Sequence, residues 1–271
     1  MSALSDETRR SAAREIAALL NRAGRVLFIT GAGISADSGL PTYRGLGGLY
    51  ENDLTAEGMP IEEALSGEML LRRPEITWKY MAQIEENCRH AGPNAAHKLL
   101  AQWERELPYV MVLTQNVDGL HRAAGSENVV EIHGDLHRLR CMHCGLREAA
   151  PDLAGRALPP ACPQCGKVMR PEVVLFGEML PEAELGRLRT ALDIGFDLVF
   201  SIGTTSVFPY IAQPVIQAMQ AGIPTVEINP GRTSLSAHVT YQLLLGAAAA
   251  LTAIEDQRTE DSKATGADAP Q

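Results

Sequence analysis

Aromatic residues are scarce in this chain of 271 residues, at 5% of the sequence. A core with so few rings must be filled mainly by valine, isoleucine, leucine, alanine and methionine. Apolar residues make up 45% of the chain and charged residues 21%, which is the composition of an ordinary soluble protein. The length allows one large domain, or a large domain together with a small one.

Long apolar runs and an excess of positive charge are also missing. The longest weakly apolar run, 243–254, is too short and too rich in alanine to span a bilayer. The N-terminal stretch 5–10 is polar and carries no export signal, so we expect a cytoplasmic protein without a membrane partner. The formal net charge of −9 argues against sequence-independent binding of nucleic acid, although it allows binding of a basic peptide.

Short apolar runs recur along the chain, and each is followed by turn or polar residues. They cover residues 26–30, 109–114, 129–132, 197–202 and 225–228. Runs that are apolar throughout are typical of strands buried on both faces of a parallel sheet. Helical patterns at 5–23, 95–106, 181–193 and 211–221 separate most of them. This alternation predicts an α/β fold with a doubly wound, Rossmann-like parallel sheet.

Other segments interrupt the alternation and define the domain organisation. The prediction is a Rossmann-like domain (1–45, 94–136 and 171–254), a helical insertion of a smaller domain (46–93), a metal-binding module of that smaller domain (137–170) and a disordered acidic tail (255–271). The tail is predicted to be disordered because it lacks hydrophobic periodicity.

Four of the five cysteines form two C-x2-C pairs, which are Cys141 with Cys144 and Cys162 with Cys165. In a reducing compartment such pairs indicate a metal site more often than disulfides. A glycine follows each pair and permits the tight turn that points backbone N–H groups at thiolates. The spacing predicts one structural Zn²⁺ per chain, since four thiolates leave no open coordination position for chemistry. Redox pairs are the alternative, and the fifth cysteine, Cys88, is expected to be an ordinary residue.

A glycine-rich loop, Gly31-Ala-Gly33-Ile-Ser-Ala36, follows the first predicted strand. A G-x-G-x-x-[G/A] loop between a strand and a helix lets backbone N–H groups approach a pyrophosphate, although glycine turns are common in α/β folds. No acidic residue ends a second strand about twenty residues later, as it does in dehydrogenases. The loop therefore predicts dinucleotide binding without hydride transfer, and Tyr43 and Arg44 are placed on a loop over the cofactor.

Polar residues follow two further predicted strands, at Gln115, Asn116 and Asp118 and at His133. Ligands of an open parallel sheet bind beyond the carboxyl ends of its strands, where the glycine loop also lies. Each polar residue alone could have a purely structural role. Their placement at one edge of the sheet favours a joint catalytic role instead.

These pieces together resemble a sirtuin of the bacterial type. The matching segments are GAGISADSGLPTYRG (31–45), TQNVDGLHRAAG (114–125), EIHGDL (131–136), the two C-x2-C pairs, RPEVVLFGE (170–178), IGTTSV (202–207) and INPG (228–231). They follow one another in the order typical of that family and extend over about residues 24–250.

The resemblance implies a role for each matching residue. His133 would be the general base, with Asn116 and Asp118 beside it at the nicotinamide and its ribose. Contacts to NAD would come from Gly31, Ala32, Gly33, Ala36, Tyr43, Arg44, Gln115, Asn116, Val117, Asp118, Gly203, Thr204, Thr205, Asn229, Pro230, Gly231 and Ala247. Val174, Leu175, Phe176 and Gly177 would form a strand that pairs with the substrate peptide.

The implied activity is NAD-dependent removal of an acyl group from protein lysines, giving nicotinamide, O-acyl-ADP-ribose and free lysine. Relatives that remove succinyl or malonyl groups carry a Tyr-x-x-Arg pair. Gln83 stands three residues after Tyr80 here, which favours a neutral acyl group, with acetyl first. Trp78 and Met81, in the same stretch, are expected in a core helix, and Thr42 stands where many relatives have aspartate. The alternatives are protein mono-ADP-ribosyl transfer and a non-catalytic zinc-ribbon binding protein.

Overall fold

The computed structural model describes residues 6–42, 54–150 and 152–266 of the chain. The strands in this part are β1 (Val26–Thr30), β2 (Val110–Thr114), β3 (Val129–Glu131), β4 (Gly134–Cys141), β5 (Arg147–Ala149), β6 (Met169–Val173), β7 (Leu198–Ile202), β8 (Thr225–Ile228) and β9 (Tyr241–Leu243). The helices are α1 (Asp6–Arg22), α2 (Ile61–Ala64), α3 (Gly67–Arg72), α4 (Pro74–Arg89), α5 (Ala95–Glu106), α6 (Leu120–Ala123), α7 (Glu182–Ile194), α8 (Pro209–Gln220) and α9 (Ala247–Gly266).

The larger sheet has six strands in the order β3-β2-β1-β7-β8-β9. All of its neighbouring strands run parallel. Every residue of β1, β2, β7 and β8 is buried, as the continuous apolar runs predicted. The predicted α/β fold is therefore confirmed. The edge strand β9 was not predicted, because two of its three residues are only partly buried and it shows no apolar run.

Helices cover both faces of this sheet, and the alternation of side chains along β1 decides which face each residue meets. Phe28 points to the face of α1, α5 and α9, where it contacts the buried Trp103 with ring centroids 5.7 Å apart. Leu27 and Ile29 point to the opposite face, which α7 and α8 cover. Full burial of an aliphatic side chain contributes roughly 1.5–3 kcal/mol, so both faces stabilise the sheet.

A smaller antiparallel sheet, in the order β5-β4-β6, forms a second core with α2, α3 and α4. Trp78 is fully buried there and donates its indole N–H to the carbonyl oxygen of Met169 at 2.9 Å. Met81 and Cys88 lie in the same core, which confirms the predicted core role of Trp78 and Met81 and the ordinary role of Cys88. The helical insertion and the cysteine module thus share one core. The predicted boundaries at 136–137 and 170–171 fall inside β4 and β6.

The C-terminal segment is helical rather than disordered up to Gly266, where the described residues end. The prediction of a disordered tail from residue 255 is therefore wrong for residues 255–266. Glu255 accepts a hydrogen bond from the indole N–H of Trp103 at 2.7 Å, and Arg258 pairs with Glu106 at 3.1 Å. These contacts with α5 hold the polar part of α9, from residue 255 on, which lacks the apolar periodicity that sequence inspection looks for. No helix of the described residues is both long and apolar enough to cross a membrane.

Candidate active site

Two glycine loops meet at the point where the strand order of the large sheet reverses. Gly31 and Gly33 follow β1, and Gly203 follows the adjacent β7. A Cβ on Gly33 would lie 2.6 Å from Cα of Gly203, and the N–H of Gly33 donates to the carbonyl oxygen of Gly203 at 2.8 Å. Only glycine permits this approach. In open α/β sheets such a crevice, beyond the carboxyl ends of the strands, is where a dinucleotide binds.

The glycine loop does not lead into an α-helix, contrary to the prediction. Two short 3-10 turns, Ala32–Ile34 and Ala36–Ser38, follow it instead. Gly39 closes the second turn with a φ of 83°. Asn94 holds these turns from the side, because its amide donates to the carbonyl oxygen of Ile34 at 2.8 Å and to Ser38 Oγ at 3.0 Å.

A buried hydrogen-bond network joins the polar residues after β2 to the glycine loop. The Asn116 side-chain amide donates to the carbonyl oxygen of Gly31 at 3.1 Å and to Ser35 Oγ at 3.2 Å. Ser35 Oγ in turn donates to a carboxylate oxygen of Asp118 at 2.7 Å, and the other oxygen accepts from the N–H of Leu120 at 3.0 Å. Each polar atom named has a partner, so this edge of the sheet is pre-organised.

Thr204 joins the loops after β2, β7 and β8. The side-chain amide of Gln115 donates to Thr204 Oγ1 at 2.8 Å, and that of Asn229 donates to the Thr204 carbonyl oxygen at 3.0 Å. Asn229 Oδ1 also accepts from the N–H of Gly231 at 3.2 Å. The loops after three strands of the sheet, β2, β7 and β8, therefore contribute to one hydrogen-bonded rim.

The remaining predicted contact residues lie around this rim without joining its hydrogen bonds. Ala36, Thr205 and Pro230 are exposed on the loops after β1, β7 and β8, whereas Val117 is partly buried. Ala247, the first residue of α9, is buried. Tyr43 and Arg44 lie outside the described residues.

His133 lies two residues after β3, at the same carboxyl edge. Its Nδ1 is 3.0 Å from the carbonyl oxygen of Gln115, and its Nε2 is 2.7 Å from the Tyr210 hydroxyl. Burial lowers the pKa of His133 below the ordinary value of 6.5, although the bond to Gln115 acts in the opposite direction. The imidazole is therefore neutral at pH 7 and has a lone pair for accepting a proton.

Two buried histidines lie beside this network, and no role was assigned to them from the sequence. His121 Nε2 lies 2.9 Å from Thr30 Oγ1, and the ring of His97 stands edge-on to that of His121 at 4.9 Å. The Nδ1 atoms of both have no partner among the described residues. Burial lowers the pKa of both, that of His121 to about 3, so both are neutral. Ser35 was also missed, although it lies within the glycine loop.

The predicted peptide-pairing segment, Val174–Gly177, begins where β6 ends and does not form a regular strand. The prediction of a strand here is therefore wrong. The N–H of Phe176 donates to Leu65, and the Phe176 carbonyl oxygen accepts from Gly67, each at 3.0 Å. Glu178 turns the chain by accepting from the N–H of Leu175 at 2.9 Å, and Gly177 has a φ of 81°. One backbone edge at Phe176 is thus occupied by the small domain.

The four predicted cysteine ligands come together, with all Sγ atoms within 4.8 Å of one another. The Cys141–Cys165 and Cys144–Cys162 Sγ pairs are 3.5 and 3.6 Å apart. A tetrahedral Zn²⁺ with Zn–S bonds of about 2.3 Å requires sulfur atoms about 3.8 Å apart, so the cluster fits this ion. The N–H groups of His143 and Cys144 point at Cys141 Sγ from 3.3 and 3.4 Å, as in thiolate knuckles.

The metal cluster and His133 lie at opposite ends of one strand. β4 begins at Gly134, directly after His133, and contains eight residues, of which Cys141 is the last. An extended strand of that length spans roughly 20 Å. The cysteine site is thus remote from the hydrogen-bonded rim.

Residues 31–209 match the model of the Sir2 family. The chain is 53% identical over 232 residues to the NAD-dependent protein deacylase 2 of Pseudomonas aeruginosa, and the match covers 84% of this chain and 90% of that protein. Its fold is similar to the crystal structure of a Sir2 homologue in complex with NAD, with a TM-score of 0.79, 32% identity and 96% of each chain covered. A Sir2 structure with a p53 peptide and NAD⁺ has a TM-score of 0.78 and 28% identity, covering 91% of this chain and 98% of that one.

Proposed function

This chain belongs to the Sir2 family, the sirtuins, and is an NAD-dependent protein-lysine deacylase; within that activity we propose that it removes acetyl and other neutral acyl groups, with His133 as the general base. The observation that carries the assignment is the position of His133. Its Nε2 atom lies at the same sheet edge as the Asn116–Ser35–Asp118 network and the paired glycine loops.

The proposed NAD site extends along the rim from the loop after β3 to the loop after β8. Gly31 and Gly33 leave room for the pyrophosphate, and Thr204 and Asn229 lie on the side where the adenosine would bind. Asn116 and Asp118 line a pocket with Ile84 of the small domain, which suits the nicotinamide end. When bound, NAD supplies an electrophilic ribose carbon from which nicotinamide departs. Ala36, Tyr43, Arg44, Val117, Thr205, Pro230, Gly231 and Ala247 belong to the same proposal.

The tautomer of His133 allows this residue to act as a general base. The Gln115 carbonyl oxygen can only accept, so the ring proton is on Nδ1 and the lone pair on Nε2. A base with a pKa just below the working pH is present in its active form and still holds a transferred proton. We propose that Nε2 takes the proton of the ribose hydroxyl that attacks the acyl carbon.

We propose that the substrate peptide adds alongside residues 174–177, where main-chain hydrogen bonds would tolerate varied sequences. The Phe176 backbone already bonds to the small domain, and the N–H and carbonyl oxygen of Leu175 bond to Glu178, so the peptide would use the backbone groups that remain on the opposite edge of this segment. Phe176 is 39% exposed and Met179 is 90% exposed, which leaves apolar contact surface beside that edge. The net charge of −9 also favours basic peptides.

The preference for neutral acyl groups is supported by the surroundings of Tyr80. Its hydroxyl donates to Glu57, which also holds Lys79 at 2.6 Å. No arginine stands three residues later, where Gln83 is exposed. A carboxylate at Tyr80 would repel the carboxylate of a succinyl group rather than bind it.

We also propose that the protein works in a reducing compartment, the cytoplasm. The proposal rests on the four cysteines, which bind a metal only as thiolates. The fit of the cluster to a tetrahedral ion supports this, since disulfides would remove the ligands. One zinc per chain and no disulfide, measured by metal analysis and thiol titration, are the expected results; an oxidised pair in freshly isolated protein would contradict the proposal.

One assay tests the proposed activity. The protein is incubated with NAD and an acetyl-lysine peptide, and nicotinamide release is measured together with peptide mass. Loss of one acetyl group per nicotinamide is expected, with at least about a tenfold lower kcat/KM for the matched succinyl peptide, because Lys79, the cation next to Tyr80, is already paired with Glu57. A peptide that gains ADP-ribose would support ADP-ribosyl transfer instead. No turnover by folded, zinc-loaded protein would support the non-catalytic binding protein.

A further inference from the structure

The hydroxyl of Tyr210 contacts the nitrogen that the general-base assignment needs. It lies 2.7 Å from Nε2 of His133, well within hydrogen-bond distance. Because Nδ1 donates to Gln115, Nε2 is the acceptor of this bond and the tyrosine hydroxyl is its donor. Together with Gln115, Tyr210 therefore selects the tautomer and fixes the orientation of the imidazole.

Aromatic packing holds the tyrosine at this place. Tyr210 follows Pro209, which starts α8, and its ring stacks on Phe208 with centroids 5.5 Å apart and an interplanar angle of 14°. The His133 ring stands edge-on to both rings, at 5.8 Å from each. Edge-to-face and offset-stacked rings are the favoured arrangements. The packing of these three rings therefore holds the Tyr210 hydroxyl next to His133.

The tyrosine is a hydrogen-bond donor here and not a second base. Burial raises the pKa of Tyr210 above its ordinary value of 10, so the hydroxyl keeps its proton at neutral pH. A hydroxyl donates to a neutral imidazole and accepts from an imidazolium. The Tyr210 hydroxyl can therefore keep its hydrogen bond to His133 in both protonation states of the imidazole.

We propose that Tyr210 is a positioning residue for His133: its hydroxyl keeps Nε2 oriented as the acceptor until the ribose hydroxyl of NAD takes its place. This inference rests on the proposed function, in which His133 is the general base. Nicotinamide departure does not require that base, whereas acyl transfer does. The two reaction stages should therefore respond differently when the tyrosine hydroxyl is removed.

The kinetic test compares Tyr210→Phe with Tyr241→Phe, a matched control on the edge strand whose hydroxyl bonds Glu15. Deacetylation of an acetyl-lysine peptide and exchange of labelled nicotinamide into NAD are measured for each protein. For Tyr210→Phe we expect kcat for deacetylation to fall about tenfold, with exchange and the KM for NAD within about twofold, since one hydrogen bond to the base is lost. An equal fall in both rates, or no change in either, would overturn the proposal.

A second readout does not depend on activity. The ¹⁵N chemical shifts of the His133 imidazole are recorded without NAD, in the wild type and in Tyr210→Phe. We expect the Nδ1–H tautomer in the wild type and a mixture of tautomers in the variant. A wild-type ring protonated at Nε2, or identical tautomer populations in both proteins, would contradict the inference. If the wild type neither exchanges nicotinamide nor deacetylates the peptide, the proposed function fails. The ¹⁵N shifts of His133 still show in that case whether Tyr210 bonds to the imidazole.

Discussion

The two sheets of this molecule satisfy their polar groups in different ways. In the six-stranded domain, Asn116, Ser35 and Asp118 bond to one another and to the glycine loop, so these three buried side chains find partners within the fold. In the three-stranded domain, four thiols face one another, and the protein itself offers them few donors. The first arrangement is complete without an ion, whereas the second requires one.

This difference divides the work between the two domains. Polar groups that the fold already satisfies can be held in position for chemistry without reorganisation. A four-thiolate site stabilises the structure around it but has no coordination position for a substrate. The large domain should therefore determine the rate of the chemical step, and the small domain should determine whether the cleft exists.

Removing the metal is the strongest test of this difference between the two domains. A structural zinc of this kind contributes on the order of 10 kcal/mol to folding, and two of its cysteines, Cys141 and Cys162, are buried in the core of the small domain. We expect chelation to reduce deacylation to background. The fluorescence that is characteristic of Trp78 in its buried position should be lost at the same time. Metal analysis, activity and fluorescence are followed in parallel.

Cysteine variants provide the matched control for this experiment. Cys144→Ala should lose the zinc, whereas Cys88→Ala should keep one equivalent, since Cys88 lies in the core away from the four-cysteine cluster. Full activity of metal-free protein would show that the small domain folds without its ion.

Removing the base should be the next largest effect. For His133→Ala we expect kcat for deacylation to fall by about 10²–10⁴, the usual contribution of a general base, with zinc content and thermal stability unchanged. In the wild type, kcat/KM should rise with pH through a midpoint below 6.5, because burial lowers the pKa of His133 and only the neutral form acts. A midpoint above 6.5, or an active His133→Ala variant, would refute the assignment.

Breaking the hydrogen-bond network should have a moderate effect. Ser35→Ala removes the donor to Asp118 and one acceptor of Asn116. A buried polar group left without its partner costs about 1–3 kcal/mol, so we expect kcat/KM to fall roughly 10- to 100-fold. Ser38→Ala, in the next turn, serves as the control. Equal kinetics for both variants would show that the network is not needed for catalysis.

The smallest effect concerns the buried histidine of the large domain. The folded state holds His121 neutral, with a pKa of about 3, whereas the unfolded chain binds a proton near pH 6.5. Below pH 6.5 the unfolded state therefore takes up more protons, and the free energy of unfolding falls by up to about 1.4 kcal/mol per pH unit as the pH is lowered.

Urea unfolding of the wild type and His121→Gln between pH 7.5 and 5.5 measures this slope. His137 contributes with the opposite sign, since Asp135 raises its pKa and its stabilisation is lost as the pH rises. The difference between the two proteins is therefore the readout. We expect a shallower slope for the variant, and equal slopes would contradict the burial argument.

The parts of the structure that sequence inspection predicted are those encoded locally. Strands such as β1 are apolar at all positions but the last, and the cysteine pairs carry their own spacing, so both were identified without tertiary information. His133 and Asn116 were found because each follows a buried strand of a parallel sheet. These features depend on the chain nearby and on one rule of sheet topology.

The features that were missed depend on contacts between distant segments. Tyr210 meets His133 across 77 residues, and no spacing rule links the start of α8 to the end of β3. Arg258 pairs with Glu106 across 152 residues, which keeps α9 helical where the sequence reads as a polar tail. The segment after β6 leaves the sheet because Glu178 binds the N–H of Leu175. Each of these depends on side-chain geometry that only the fold reveals.

The central claim is that the metal of the small domain has no part in the chemistry of His133. Replacing Zn²⁺ by Cd²⁺, a soft ion that four thiolates also bind, changes the metal and keeps the site filled. The account predicts that the fully exchanged protein, verified by metal analysis, deacetylates the same peptide with a kcat within about twofold of the zinc form, because a closed site acts only through the fold. A folded cadmium protein with a kcat more than tenfold lower would contradict it.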